Sequence, residues 1–544
     1  MNHLSRRQVL LGGAGAAALA LTGCGGSGDS DSTNLSGNKV GAMGTFGVGD
    51  QFKATKPVDF SIMMLSNPAY PYNKRWEFFT ELTKRTNVSF TSTVIPYSDY
   101  NQKRSVMISG GNAPMIIPKT YHPDDEQYVA GGAILPVSDY VHLMPNYQDK
   151  ISRWNLAGDI DSLRQDDGKY YLLPGLHQDV WVDYSLAMRT DILKKLHLDV
   201  PATWDDVHSA MKEMKAAYPD VYPLSDRWND PTPGGSLMQT LGNAYGTQAG
   251  WSYQNATWDA GAGKFVFTGT MPQYKAMLQY LNSLVRDKLV DPESFTQSDD
   301  IAVQKFVSGK SFVICTNAQS LINDYRKGLK VSGATVAKIP IPTGPAGDTK
   351  VGSRLENGMM ISAKARDSKN FVAMMQFIDW LWYSDEGELF ARWGIKGQTY
   401  TGSVDDGTFK LASNVDWAGL NPGAKKNLQV DYGFFNGVFA YGGSTTLLDT
   451  QFTAEELEFQ KVMNQRKTLP VPPPAPLSAD EREQASLWDT GLKDYVQQQT
   501  LKFILGQRSF SEWDTYAGEL KGKSSQQYLD LVNKAYQRYK EKHG

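Results

Sequence analysis

Two apolar runs, Val58 to Leu65 and Val88 to Ile95, enclose an amphipathic stretch from Lys74 to Arg85. A third run, Met115-Ile116-Ile117, follows the glycine-rich turn Ser109 to Pro114. Short apolar runs bounded by turn residues read as buried strands, and the stretch between the first two has helical spacing. Strand, helix, strand order predicts a parallel sheet whose ligand crevice lies beyond the carboxyl ends of its strands. The alternation continues. Thr203-Trp204-Asp205-Asp206 has the pattern of an N-cap with acids in the first turn, which predicts a helix to about Ala217. Ser311 to Cys315 reads as a buried strand. Phe371, Met374, Met375, Ile378, Leu381 and Trp382 recur at helical spacing and predict one apolar face. After an extended proline strap, Leu469 to Pro474, Ser478 and Glu481 fit a capping box that opens a long helix.

The N-terminus carries two addresses. Ser5-Arg6-Arg7-Gln8-Val9-Leu10 resembles a twin-arginine export signal, and Leu21-Thr22-Gly23-Cys24 resembles a lipobox. The small and apolar residues between them, Val9 to Leu21, suit a signal-peptide core and are too few to span a membrane. Residues 1–23 are therefore expected to be a signal peptide and 24–55 a flexible tether. Lipidation of Cys24 would hold the protein on the outer face of the cell membrane. The remaining length is too great for one core and suits two domains. A formal net charge of −3 gives no electrostatic reason to expect nucleic acid or an anionic membrane as partner. Of two cysteines only Cys315 remains beyond Cys24, which excludes a disulfide framework.

Motifs in the body resemble those of extracellular solute-binding proteins of the large, carbohydrate-handling class that serve ATP-driven importers. Gly110 to Ile116 resembles that family's strand entry, with Met115 in place of the usual Asp, and Asp167 to Pro174 its crossing between lobes. Arg189 to Leu193 with Leu198 to Asp205 is the most specific match. Phe306 to Lys310, Trp393 to Tyr400, Phe503 to Gly506 and Ala535 to Tyr539 follow in family order. The resemblance implies an α/β fold of two lobes, each a mostly parallel sheet flanked by helices, with ligand between them and closure by hinge bending. Crossings are expected near Tyr171–Leu176, Ser308–Phe312 and Arg354–Met359. The first lobe is then 56–172 plus 308–353, and the second 173–307 plus 354–544. It also implies a monomer that takes an oligosaccharide and delivers it to permease subunits, with no enzymatic activity.

Sugars present apolar C–H faces and polar edges, so a site for them combines flat rings with amides and carboxylates. Candidates are Asn67, Tyr70 and Tyr72 after the first strand, Trp181 and Asp183 after the first crossing, and Trp228, Asn229 and Asp230 in a proline-bounded loop. Tyr245 and Trp251 lie beside glycines, Glu356 and Asn357 at the third crossing, and Tyr400, Trp417 and Phe434-Phe435 further on. Core packing is the competing role for each ring. No cofactor or metal is expected: the Gly-Lys-Ser triplets at 309–311 and 522–524 lack the upstream glycine of a phosphate loop, and no His pair has helical metal spacing. Ser209-Ala210-Met211-Lys212 matches S-x-x-K without its companion motifs. The rival readings are a lipid-anchored glycoside hydrolase, which needs two carboxylates at a defined separation, and a surface glycan-binding protein for adhesion or sensing.

Overall fold

The computed structural model describes residues 34–229, 232–350, 352–469 and 471–543. In chain order the first elements are β1 (Val58–Ser66), α1 (Glu77–Thr86), β2 (Val88–Pro96), α2 (Tyr100–Ser109) and β3 (Ile116–Thr120). Strands β4 (Leu173–Leu176) and β5 (Ser185–Arg189) flank the first crossing, and α3 (Trp204–Ala217) and α4 (Pro272–Arg286) follow. Next come β6 (Val313–Thr316), β7 (Val336–Lys338), β8 (Leu355–Ile361), α5 (Phe371–Tyr383) and α6 (Asp385–Trp393). The chain closes with α7 (Ala454–Asn464), α8 (Ala479–Ile504), α9 (Trp513–Gly522) and α10 (Ser525–His543). The described residues from Asn38 onward form one compact unit.

Two sheets define two lobes. The first has the order β2-β1-β3-β8-β4. Its β1, β2 and β3 are parallel, as the strand–helix–strand pattern predicts. Strand β8 runs antiparallel to both β3 and β4, because β4 and β8 are the strands by which the chain leaves the first lobe and returns to it. The second sheet has the order β6-β5-β7, all antiparallel, extended by parallel bridges from Leu224 to Val290 and Val313.

Strand pairing divides the chain differently from the expected partition of 56–172 plus 308–353 and 173–307 plus 354–544. Both β6 and β7 pair with β5, so residues 313–338 belong with the second lobe, while β8 returns to the first. The return crossing thus lies between β7 and β8, and no crossing occurs at Ser308–Phe312. A third crossing leads from Gly442 to α7. A four-residue apolar strand carries no mark of which sheet it joins, so its ownership follows only from pairing. The three crossings run side by side: His177 N–H donates to Arg354 O (2.8 Å), and Gly443 N–H to Leu176 O (2.7 Å). Gly442 has φ +77°, and a Cβ on it would lie 2.7 Å from Leu176 backbone atoms, so only glycine allows this approach.

Local signals and burial explain the frame. Thr203 and Asp206 form a reciprocal capping box at α3, as do Ser478 and Glu481 at α8, each cap being worth about 1 kcal/mol. Helix α5 departs from the expected single apolar face, since every one of its residues is buried. It lies between the first sheet, where Phe377 meets Phe60 at 5.7 Å, and the helix Pro145–Arg153. There Asp379 accepts from Asn146 N–H (2.9 Å) and Tyr147 N–H (2.8 Å) at that helix's start. In the second lobe α3, α4, α8 and α9 share one core through Met211, Leu281, Val496, Phe503 and Leu520. The C-terminal helices also reach the first lobe: Arg538 donates to Asp166 (2.7 Å) and Glu481 (2.7 Å), and Arg482 to Gln165 (2.8 Å).

Candidate ligand-binding cleft

The carboxyl ends of β1, β2 and β3 supply one wall. Tyr70 follows β1, Tyr97 follows β2, Lys119 lies at the end of β3 and Tyr121 just after it. Tyr97 and Tyr121 are 62% and 57% exposed, high for rings in a molecule with this much core. Lys119 and Tyr70 point at Gly437, where a Cβ would lie 3.3 Å from Lys119 Nζ and 3.4 Å from the Tyr70 hydroxyl. Glu356, on β8, completes this side.

The opposite wall comes from the second lobe. Asp183 and Tyr184 enter β5, and Asn317 follows β6. Tyr184, Trp228 and Trp251 form a triangle of rings, with centroids 5.3 Å (Tyr184–Trp228), 5.3 Å (Tyr184–Trp251) and 5.7 Å (Trp228–Trp251) apart. Trp228 is held in place: its backbone N–H donates to Asp299 Oδ1 (2.8 Å) and the Arg227 guanidinium lies 4.6 Å over its ring. Asn317 Oδ1 caps Ser320 N–H at 2.8 Å, which leaves its amide N–H groups for Asp183 and Tyr184.

Where the crossings meet, the cleft deepens into a pocket of about 200 Å³. Trp181 and Asp183 of the first crossing, Asn317 and Ile322 of the second lobe, Trp417 and Phe435 of the first lobe, and Gln451, Phe452 and Glu456 of the third crossing line it. Trp417 stacks on Phe435 at 3.9 Å, and Trp181 packs against Phe452 at 5.9 Å. Glu456 is fixed by a buried ion pair with Lys338 (2.8 Å), whose ammonium also lies 3.7 Å over Phe459.

The electrostatics are specific. Burial pushes Asp183 up to about 6, with Glu456 and Glu356 adding to the rise and Lys338 and Asn317 opposing it. Burial alone would raise Glu356 too. Instead the His177 imidazole (Nε2 to Oε2, 3.0 Å), the Gly442 N–H (2.9 Å) and Lys119 hold its carboxyl below the usual range. Burial lowers the Lys119 ammonium, with Glu356 acting against it. Among the described residues nine non-glycine residues have a left-handed backbone, and four of them are here: Lys119 (φ 58°), Trp228 (65°), Ala418 (50°) and Phe435 (53°). Such conformations cost energy and cluster at ligand clamps.

Of the sequence candidates, Trp181, Asp183 and Trp417 line the pocket together. Trp228 and Trp251 form the triangle with Tyr184, Glu356 interacts with Asp183 from the first lobe, and Tyr70 lies beside Gly437 and Tyr97. The others lie elsewhere. Tyr72 packs against Trp76 (5.8 Å) and Phe79 (5.9 Å), and Asn67 folds back on Ala69 N–H (2.9 Å). Asn229 ties its own loop through Gln297 O (3.0 Å) and Gly234 N–H (2.8 Å). Tyr245 packs on Tyr280 at 6.0 Å in the second core. Asn357 is buried behind Glu356 and donates to its Oε1 (3.1 Å). Tyr400 stacks on Phe409 at 5.5 Å beside a separate surface cavity. Phe434 is core, against Phe78 and Phe390. Cys24 and Asp230 lie outside the described residues. Sequence reasoning missed Tyr97, Lys119, Tyr121, Tyr184, Asn317 and Gln451. The carboxyl-end rule, applied to every strand, would have found Tyr97, Tyr121 and Asn317.

The model of the bacterial extracellular solute-binding protein family matches residues 69–389, more than half the chain. The chain belongs to that family. This solute-binding protein is similar to the fructooligosaccharide ABC transporter substrate-binding protein FusA of Streptococcus pneumoniae serotype 4 (strain ATCC BAA-334 / TIGR4): 24% identical, over 90% of this chain and 92% of FusA. It is also similar to lipoprotein LipO of Bacillus subtilis (strain 168), 23% identical over 60% of this chain and 64% of LipO. Among solved structures, the alginate-binding protein AlgQ2 superposes with a TM-score of 0.68 at 18% identity, over 90% of this chain and 99% of AlgQ2. That likeness establishes the two-lobe fold. Among the described residues no helix is long and apolar enough to cross a membrane.

Proposed function

We propose that this solute-binding protein captures an oligosaccharide between its lobes and delivers it to the permease subunits of an ATP-driven importer. It works as a monomer, anchored through Cys24 on the outer face of the membrane, and performs no chemistry on its ligand. The carrying observation is the facing of rings and polar groups across the cleft: Tyr184, Trp228 and Trp251 on one side, Tyr97 and Tyr121 on the other, with Asp183, Asn317 and Glu356 between. Rings suit the apolar faces of a sugar, and amides and carboxylates its hydroxyl edges. The names of FusA and AlgQ2 point to carbohydrate, and that of LipO to a lipid anchor.

One observation favours the hydrolase reading: Asp183 and Glu356 are neighbouring carboxyls pushed in opposite directions, as in an acid–base pair. Against it, both Glu356 oxygens are engaged, Oε2 by His177 and Gly442 and Oε1 by Asn357. Those contacts hold the Glu356 carboxylate as a structural acceptor where the crossings meet. Calorimetry with linear oligosaccharides, followed by chromatography of the sugar, tests the proposal. Micromolar binding with the sugar recovered intact is expected. Shortened sugar would favour the hydrolase, and absence of binding across the panel would remove the oligosaccharide.

A further inference from the structure

The chain ahead of β1 is expected to be slack, yet from Asn38 to Thr55 it is built into the first lobe. It forms no helix or strand of its own, and distant residues fix it. The Asn38 side-chain amide donates to Arg366 O (3.1 Å) and Ser368 O (2.8 Å), and Arg366 Nη1 donates back to its Oδ1 (3.1 Å). Val40 N–H donates to Lys369 O (2.9 Å), and Val372 N–H to Asn38 O (3.0 Å). Met43 exchanges two bonds with the Gln376 side chain: its N–H donates to Oε1 (2.9 Å) and its O accepts from Nε2 (3.2 Å). Gly49 N–H donates to Asn146 Oδ1 (2.9 Å). At the far end Ala54 N–H donates to Thr86 O (2.8 Å), and Asn87 Nδ2 donates to Ala54 O (2.8 Å).

The side chains agree with the backbone. Phe52 and Ala54 are buried and alternate with exposed Lys53 and Thr55, the two-residue period of an extended chain with one face inward. Phe52 meets Phe377 edge-on at 5.9 Å. Gly41 (φ +80°) lies so close to β1 that a Cβ on it would be 2.5 Å from Val58 Cγ1. Every partner named belongs to the first lobe: α5 and the turn before it, the helix Pro145–Arg153, β1, and the junction of α1 with β2. Ordering a segment that has no regular structure costs conformational entropy, so contacts at each of these places are needed to hold it.

The attachment shortens the leash. With lipid on Cys24 and the chain fixed from Asn38, at most about 50 Å of chain joins the two, at ~3.5 Å per residue. Slack running to Thr55 would reach about 110 Å. Resting on the lipid-anchor reading, we propose that Asn38 to Thr55 is a clasp that makes the first lobe the anchored lobe. The second lobe is then tied to the membrane only through the crossings, and bending there swings it while the first lobe stays on its leash.

Protease mapping of the full chain tests this. From Gly25 to Asn38 there is no Lys or Arg, so the tryptic sites nearest the anchor are Lys39, Lys53 and Lys56, in the clasp or at its end. Their side chains are exposed, but a protease cuts only where the backbone opens locally. In phosphatidylcholine–phosphatidylglycerol vesicles, trypsin should leave the bonds after these three residues intact. Subtilisin should release a folded body whose new N-terminus lies at or before Asn38. Tryptic cleavage tracks the open population, so Phe52→Ala should speed it about tenfold and Asn38→Ala, which keeps the buried ring, about threefold; melting curves show whether each variant is folded. Rapid tryptic cuts after Lys53 or Lys56 in the parent, with the body still folded, would overturn the clasp, as would two folded variants cut at the parental rate. A chain that does not partition into the vesicles would remove the lipid anchor, and the anchored lobe with it.

Discussion

The inner pocket and the outer ring triangle are both aromatic, yet they are built on opposite principles. In the triangle the rings satisfy one another, and Trp228 is braced by Asp299 and Arg227. On the proposed function it is a stacking platform, its rings already packed on one another. In the pocket three N–H donors, on Trp181, Trp417 and Gln451, lack partners among the described residues, and two residues, Ala418 and Phe435, are held in left-handed conformations. Unpaired buried polar groups and backbone strain both cost stability, so the pocket is held at a cost that the triangle does not carry.

The contrast predicts a ranking of losses. Trp181→Ala, at the pocket, should weaken oligosaccharide binding the most, by about a hundredfold, as for a buried anchor; calorimetry showing less than tenfold loss would reverse the ranking. Trp228→Ala, on the platform, should cost about tenfold, close to 1.4 kcal/mol. The side chain is only partly buried, so melting of the free protein should fall only slightly. A Trp of the true core such as Trp204, which is buried, would instead cost about 3–5 kcal/mol of stability when cut to Ala.

A third prediction separates the pocket by pH. The Asp183 carboxyl has an ordinary value of 3.8 and is raised to about 6 in the folded state. Between those values the folded state holds a proton that the unfolded state does not. Stability contributed by this group is therefore present at low pH and lost as pH rises to about 6. Asp183→Asn should remove that fall, most visibly when melting is compared at pH 5 and pH 7.5. Asp226 and Asp379 are also raised to about 6, so the difference between parent and variant is the quantity to read. Parallel curves would show that Asp183 is not desolvated in the cleft.

The smallest expected effect is at the edge where the C-terminal helices meet the first lobe. Arg538 is partly exposed and bridges Asp166 and Glu481. Exposed ion pairs contribute about 0–1 kcal/mol, so Arg538→Ala should shift denaturant midpoints slightly and lose even that in high salt. A shift larger than that of Trp228→Ala would make this contact, and not the cleft, the stronger link between lobes.

Much of the frame was legible in the residues, for identifiable reasons. Thr203 with Asp206 and Ser478 with Glu481 are local hydrogen-bond chemistry, and both caps form as read. Trp181, Asp183 and Trp417 were found as polar or flat residues near a crossing or a glycine. Tyr245 and Tyr400 satisfied the same criterion and pack on Tyr280 and Phe409 instead, because glycine marks a turn and not which way a neighbouring ring faces. Ownership of β6 and β8 was illegible, since pairing between strands more than 100 residues apart leaves no local trace. Gln451 was invisible for a similar reason: its placement depends on Arg392, a partner 59 positions away.

Closure is the most direct test of ligand binding between the lobes. Three crossings meet at His177, Arg354 and Gly443, an arrangement suited to bending about one line. Small-angle X-ray scattering should be recorded with and without a saturating oligosaccharide identified by calorimetry. A smaller radius of gyration with ligand, accompanied by thermal stabilisation of about 2.7 kcal/mol at 100-fold excess over Kd, is the predicted result. Scattering curves that superimpose while the ligand is bound would contradict it, and would place the sugar on one lobe alone.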